Sequence, residues 1–116
     1  MENRPIIVFI TAPSNEIGKK IATTLVEGKL AACVNILGPV SSIYAWEGKI
    51  CDDEEVLLIA KSRSGLFENQ LIPAVKAIHP YEIPEIIALP VAMGLNSYLD
   101  WVLRETETDI TGSPGE

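Results

Sequence analysis

The first quarter of the chain changes from a strand pattern of hydrophobic residues to a helix pattern. Pro5 to Ala12 contains a continuous run of β-branched and aromatic residues, which is typical of a buried strand. Pro13 ends this run, and Ser14 is a favourable N-cap for a helix that Gly28 ends. Between these caps, apolar residues recur at helical spacing, at Ile17, Ile21 and Leu25. We therefore predict a strand followed by a helix.

A long β-hairpin is predicted next. Two extended segments, Leu30 to Ile36 and Val40 to Trp46, are separated by Gly38-Pro39, where a bend or bulge is expected because proline cannot donate to a central ladder. Glu47-Gly48 is a tight loop, and the return strand runs from Lys49 to Lys61. That strand is polar near the loop and apolar toward its end, so the outer half of the hairpin is expected to project from the sheet. A projecting hairpin exposes strand edges, which another subunit often covers.

A second helix follows Ser64-Gly65. Pro73 interrupts it, which predicts either a kink or a helix that starts near Ile72, because an interior proline removes a hydrogen bond and clashes with the preceding turn. Pro80 disfavours helical geometry at the residue before it, so the helix should end by Ile78. The apolar face of this helix consists of Phe67, Leu71, Val75 and Ile78.

The last elements are a short strand and a third helix. Glu85 to Pro90 predicts the strand, and a cap at Asn96 or Ser97 starts a helix that reaches about Glu105. Residues 106–116 form a polar tail, with a short strand predicted at Asp109 to Thr111. The predicted fold is α+β, a ferredoxin-like βαββαβ domain over residues 1–105 with an additional C-terminal helix.

Charge and composition exclude several classes of function. Nine Lys and Arg stand against sixteen Asp and Glu, a net charge of −7, which disfavours nucleic-acid binding. No apolar run approaches the roughly 18 residues of a membrane helix, and no signal-peptide pattern is present, so a cytoplasmic protein is expected. The two cysteines and one histidine show no zinc-binding spacing.

Three blocks of sequence resemble the CutA divalent-cation-tolerance family. The first is Leu25 to Ile36, with the sequence LVEGKLAACVNI. The second is Ser42 to Lys49, SIYAWEGK, which continues through Glu55 to Lys61. The third is His79 to Pro90, HPYEIPEIIALP, followed by Tyr98 to Trp101. The blocks stand in the family's order and cover roughly residues 6–105.

The resemblance implies a tight homotrimer that resembles the PII signalling proteins. It also implies a role in tolerance of divalent cations, copper especially, and an ability to bind such ions. The family has no established catalytic reaction, so we predict that the protein is not an enzyme. Two positions depart from the family pattern: Ala45 replaces a longer polar or basic residue, and Cys51 has no counterpart, so no role is assigned to it.

The candidate metal ligands are His79, Cys33 and Glu82. Imidazole suits Cu(II), thiolate suits Cu(I), and a carboxylate can complete or orient a shell. Each also has a structural interpretation: Cys33 as a core residue, His79 as a group at the end of a helix, and Glu82 as a solvated acid. One histidine and one cysteine are too few for tight binding by a monomer. We therefore expect symmetry copies in a trimer to complete the site.

The other candidate residues belong to a subunit interface or cleft. Aromatic side chains are large anchors with a polar handle, and Lys61 can pair with a carboxylate across an interface. Two alternative functions stay open, a PII-like regulatory module that binds a small ligand between subunits and a scaffold for a partner protein. An enzyme with Cys33 as nucleophile and His79 as base lacks any diagnostic motif. The predicted interface or cleft set is Tyr44, Trp46, Lys61, Tyr81, Glu85 and Trp101.

Overall fold

A computed structural model describes residues 3–107 of the chain. One helix, residues 64–76, consists of three consecutive segments, an α-helical turn, a π-helical stretch and a second α-helical stretch. The elements in chain order are β1 (Pro5–Ala12), α1 (Asn15–Glu27), β2 (Cys33–Trp46), β3 (Lys49–Arg63), α2 (Ser64–Leu66, Phe67–Leu71 and Ile72–Lys76), β4 (Ile86–Pro90) and α3 (Asn96–Glu105).

The four strands form one sheet in the order β2-β3-β1-β4, and every neighbouring pair is antiparallel. The predicted α+β class and the order β-α-β-β-α-β with an additional helix are confirmed by this arrangement. Strands β1 and β3 lie in the middle of the sheet, so β2 and β4 are its edges.

The central strand β1 separates two different faces of the sheet. Its residues alternate between buried and half-buried along the whole strand, which is the period of two expected of side chains that point to opposite faces. One face packs against α1 and α2 and is fully buried. We call the other face, which contains Ile7, Phe9 and Thr11, the open face. The core between the sheet and the helices includes Val8, Ile10, Ile21, Leu25, Leu58, Leu71 and Val75.

Helix α1 has the predicted ends. The Ser14 side chain accepts a hydrogen bond from the backbone N–H of Ile17 at 3.2 Å, which satisfies one of the free donors of the first turn. At the other end, the backbone N–H of Gly28 bonds to the carbonyl of Thr24 at 3.0 Å. Lys29 then has a φ of 60°, which turns the chain out of the helical direction.

Strand boundaries differ from the prediction at three points. Strand β2 begins at Cys33 and not at Leu30, because the backbone N–H groups of Leu30 and Ala31 both bond to the carbonyl of Leu25 and prolong the end of α1. Strand β3 continues two residues beyond Lys61, because Arg63 still pairs with Pro5 of β1. Strand β4 begins one residue later than predicted, at Ile86.

The hairpin of β2 and β3 extends beyond the other strands, as predicted. We call Val40–Trp46 together with Lys49–Glu55 the arm. The predicted irregularity is present as a register shift between Leu37 and Val40. Glu47 and Gly48 have φ values of 49° and 78°, and two positive values in a two-residue loop are the signature of a type I′ turn.

Pro73 is accommodated inside a continuous helix. An α-helical segment starts at Ile72, as predicted, but a π-helical stretch and an α-helical turn precede it without a break in the helix. The N–H of Ile72 bonds to the carbonyl of Phe67, five residues earlier, and this wider turn changes the path of the backbone just before the proline. The helical segment ends at Lys76, within the predicted limit.

Helix α3 ends at Glu105 as predicted but begins differently. Its N-cap is Leu95, which has no capping side chain, so the predicted cap at Asn96 or Ser97 is wrong. Arg63 of β3 fixes the other end, donating hydrogen bonds to the carbonyl of Leu103 and to Thr106, the latter at 3.0 Å. The strand predicted at 109–111 lies outside the described residues. Among residues 3–107, none of the helices has the length and apolar character required to cross a bilayer.

We predict that Ser14→Ala lowers the free energy of unfolding by about 1 kcal/mol, because it removes the N-cap of α1. Urea denaturation at a fixed protein concentration measures the change. The matched control is Ser97→Ala, since Ser97 is exposed at the start of α3 and caps no helix. Equal stability losses in the two variants would contradict the capping role of Ser14.

Candidate functional site

His79 connects the segment after α2 to the central strand β1. Its ring Nε2 lies 2.7 Å from the backbone carbonyl oxygen of Thr11, which can only accept, so this nitrogen donates. Its Nδ1 accepts the backbone N–H of Tyr81 at 3.2 Å. The side chain is buried, 7% exposed, and both ring nitrogens therefore have protein partners. The bonds to strand and loop fix the start of the segment that contains Tyr81, Glu82 and Glu85.

Tyr81 reaches a buried carboxylate on β3. Its hydroxyl donates to Glu55 at 2.8 Å, and Glu55 is only 6% exposed. Burial and the hydrogen bond to Glu55 raise the pKa of Tyr81 to about 12, so its hydroxyl keeps its proton and stays a donor across the physiological range. The rings of His79 and Tyr81 lie 4.8 Å apart at an angle of 52°, which adds an aromatic contact to this anchored segment.

The arm presents a second tyrosine–carboxylate pair. The hydroxyl of Tyr44 on β2 donates to Asp53 on β3. The hydrogen bond from this hydroxyl to Asp53 is the largest cause that raises the pKa of Tyr44. Trp46 follows two residues later on the same side of the strand, with 42% of its surface exposed. The free cysteine Cys51, half-buried, lies opposite Tyr44 in the register of the two strands.

A cleft of about 690 Å³ lies between the arm and the segment after α2. Five of the nine residues predicted as metal ligands or interface groups line it, although they come from separate parts of the chain. Its lining also includes three hydroxyl-bearing residues and Asp53. The five predicted residues are Tyr44, Trp46, Tyr81, Glu82 and Glu85.

Three of the four remaining predicted residues, Cys33, Lys61 and Trp101, form a second group near the start of β2. Cys33 pairs with Lys61 in the sheet, and the Nζ of Lys61 lies 4.0 Å from its Sγ while also donating to Asn35. Tyr98 of α3 contacts this group; its pKa is raised by burial and by the neighbouring thiol of Cys33. Trp101 packs beside Tyr98 with ring centroids 5.5 Å apart.

The structure does not bring Cys33 and His79 together within one chain. Cys33 lies at the level of Lys61 in the sheet, whereas His79 bonds to Thr11, which is opposite Leu57. Four residues along a strand correspond to roughly 13 Å. Among the described residues, no group of three His, Cys, Asp or Glu side chains is arranged to hold a metal ion. Coordination by Cys33, His79 and Glu82 therefore stays a prediction that requires more than one chain.

Sequence reasoning missed Glu55 and Asp53 as partners of the two tyrosines. Both belong to a run of four acidic residues that was interpreted only as the polar part of the hairpin. The available signal was the register: a turn at Glu47-Gly48 places Asp53 diagonally across from Tyr44 on one side of the arm. No comparable signal in the sequence indicates the bond between Tyr81 and Glu55, because it joins distant segments.

Tyr81→Phe is predicted to lower the free energy of unfolding by about 1–3 kcal/mol, because it removes the one hydrogen bond that Glu55 accepts within the described residues. Urea denaturation measures the loss. The matched control is Tyr44→Phe, which should cost less because Asp53 is exposed and remains hydrated.

The same pair predicts a pH dependence. The pKa of Tyr81 is raised from 10.0 to about 12, so its contribution to stability is complete below pH 10 and is lost as the pH rises toward 12. Wild type should therefore lose more stability than Tyr81→Phe across this interval. Identical losses would show that Tyr81 does not titrate as described.

Comparison with known proteins matches residues 6–105 to the family of the CutA1 divalent ion tolerance protein. The divalent-cation tolerance protein CutA of Thermus thermophilus is 49% identical over 100 residues, 86% of this chain and 96% of that protein. The chloroplastic CutA of Arabidopsis thaliana is 48% identical over 101 residues, 87% of this chain but 55% of the plant protein, so the chain spans about half the length of that relative.

Solved structures agree with the sequence comparison. A structure described as the divalent cation tolerance protein of Thermus thermophilus matches the fold with a TM-score of 0.86 at 48% identity, covering 89% of this chain and 99% of the other. The resemblance predicted from the three sequence blocks is thereby confirmed. The chain belongs to the CutA1 divalent ion tolerance protein family.

Proposed function

We propose that this chain is a non-enzymatic divalent-cation tolerance protein that binds copper, or another divalent cation, as a homotrimer with a PII-like arrangement. The observation that supports it most is the combination of family membership with an apolar open face that the single chain covers only in part. In this proposal the metal ion is cargo that the protein sequesters, and assembly brings its donors together.

The open face has the character of a subunit interface. Leu37, Ile87 and Leu89 point to this face and are 46%, 53% and 52% exposed. The arm adds Ile43 and Ile50, which are 70% and 76% exposed. Monomeric proteins rarely leave large contiguous apolar surfaces in water, and projecting strand edges also need a cover. A second and third copy of the chain would supply both covers.

The arrangement of donors supports sharing of the ion between chains. Within residues 3–107 of one chain, three ligand side chains are not brought together, so one chain alone does not fit a complete site. Metal binding by His79 would also require its ring to exchange a hydrogen bond, either that to Thr11 or that from Tyr81. Cys33 and the exposed Glu82 have no ring hydrogen bond of this kind to exchange for a metal ion. We propose these three residues as ligands from neighbouring protomers.

We place the protein in the cytoplasm. The two cysteines are unpaired, which is compatible with a reducing compartment. Its net charge of −7 disfavours nucleic acid as a partner. The plant relative, by contrast, is named as a chloroplastic protein.

A second candidate function is a PII-like regulatory module in which a small ligand binds in a cleft and changes the contacts of the assembly. The cleft between the arm and the segment after α2 favours this candidate, because a cavity of that size accepts a small organic molecule. A scaffold for a partner protein would use the same exposed surfaces, but no contact in the structure favours it over self-association.

We predict a trimeric mass in light scattering at micromolar concentration. The double variant Ile87→Glu/Leu89→Glu should shift that mass toward the monomer, because charges on the open face oppose its burial. Val26→Glu is the control, since Val26 is 43% exposed on α1 and away from the open face. Circular dichroism confirms folding of each variant. A stable wild-type monomer would contradict the assembly and the shared coordination together.

Copper titration tests the proposed ligands. We expect His79→Ala, Cys33→Ala and Glu82→Gln to weaken copper binding, each by at least about tenfold, because each removes a donor. Glu68→Gln, an exposed acid on α2, should leave binding unchanged. Using three separate ligand variants keeps the test valid if His79→Ala alone destabilises the fold. Unchanged affinity and stoichiometry in all three would remove these residues from the metal site.

A further inference from the structure

The cleft between the arm and the segment after α2 has aromatic walls. Tyr44 and Trp46 come from β2 and Tyr81 from the opposite segment, and all three line the cavity of about 690 Å³. Each of these side chains is between 37% and 42% exposed, so part of every ring is available to a bound molecule. The space is much larger than a single ion requires and has room for a small organic molecule.

The two tyrosine rings are held by carboxylates and made more electron-rich by them. Tyr44 donates its hydroxyl hydrogen to Asp53, and Tyr81 donates to Glu55 at 2.8 Å. A phenol that donates to an anion is polarised, which increases the negative charge on the face of its ring. The face of an aromatic ring attracts cations, and this attraction grows with that charge. The rings are therefore suited to a positively charged group.

The charges in the cleft have one sign. Asp53 lies on the β3 wall, and Glu82 and Glu85 lie on the opposite wall. None of the lining residues in the described part of the chain is Lys or Arg. A phosphate or nucleotide would be repelled there, whereas a ligand with positive charges at two ends would meet carboxylates on both walls.

Hydroxyl groups add acceptors for N–H donors. Thr11, Ser41 and Ser42 line the same cavity, and hydroxyl oxygens can accept hydrogen bonds from an ammonium group. A quaternary ammonium has no N–H to donate, so it would use only the rings and the charge. The lining therefore favours protonated amines over quaternary ones.

We propose that this cleft binds a polyamine, a small aliphatic molecule with two or more protonated amino groups. The amino groups pair with Asp53 on one wall and with Glu82 and Glu85 on the other, while the rings of Tyr44, Trp46 and Tyr81 cover the chain between them. The residues named here all belong to one chain. Glu82 is also a proposed copper ligand, whereas His79 and Cys33 are not part of this site. A polyamine would be the small ligand of the PII-like regulatory module proposed above as the second candidate function. The biological purpose of the site rests on that proposed function.

Isothermal titration of the full chain with spermidine at low ionic strength tests the site. We expect saturable binding with one site per chain, weaker binding of choline and none of ATP. Glu82→Gln/Glu85→Gln should reduce spermidine affinity about three- to tenfold, and Trp46→Leu about threefold, from the ordinary strengths of exposed ion pairs and cation–π contacts.

The matched control is Glu27→Gln/Glu68→Gln, which removes the same charge from exposed sites on α1 and α2. It should retain wild-type affinity. If this control weakens spermidine binding as much as the cleft variant does, the effect comes from net charge and the proposal is wrong. Absence of saturable spermidine binding, or tighter binding of ATP, would also overturn it.

A parallel copper titration separates this inference from the copper proposal. Cys33→Ala is the variant to compare, because Cys33 lies outside the cleft. We expect it to keep wild-type spermidine affinity and to lose copper affinity. Loss of spermidine binding in Cys33→Ala would place the amine elsewhere and contradict the cleft assignment. Failure of copper binding with spermidine binding retained would overturn only the metal proposal.

Discussion

Strand β3 pairs along nearly its whole length, but its two halves have different neighbours. From Val56 to Arg63 it pairs with β1, and as far as Lys61 with β2 as well, whereas from Lys49 to Glu55 it pairs with β2 alone. The inner half therefore supplies core residues such as Leu58. The outer half lacks a third strand, so it forms the arm, whose exposed edges and apolar groups require another cover. The core, the arm and the proposed assembly all follow from this difference in pairing.

The bulge in β2 determines what the arm presents. Before the bulge, Leu37 pairs with Leu57 and belongs to the open face; after it, Val40 pairs with Glu55. Two residues of β2 therefore lie between these pairs, opposite a single residue of β3. The alternation that follows places Tyr44 and Trp46 on the cleft side. The opposite wall is positioned independently, because His79 ties its segment to β1 through backbone groups. The cleft thus depends on the bulge in β2 and on the hydrogen bonds that attach the segment of His79 to its surroundings.

Local patterns predicted the parts of the fold that local chemistry controls. The turn at Glu47-Gly48, the Ser14 cap and the apolar period of α1 all depend on neighbouring residues, and the structure confirms each of them. The errors arose where tertiary contacts decide. Helix α3, for example, starts without the predicted capping side chain. The pair of Tyr81 and Glu55 was missed for the same reason, since its two segments meet only after the sheet has formed. The pair of Tyr44 and Asp53 is different, because the register of the hairpin is enough to predict it.

The two kinds of cation considered for this protein make different demands on its acidic surface. A metal ion needs several donors within a few ångströms of one point, and such a group is not found among the described residues of one chain. A polyamine spreads its charges over its length, so carboxylates on separate walls can satisfy it without converging. The geometry of a single chain therefore suits an extended cation, whereas a compact one requires assembly. If both proposals hold, metal binding is the more sensitive of the two to the oligomeric state, because its ligands come from separate chains whereas the residues that line the cleft belong to one chain.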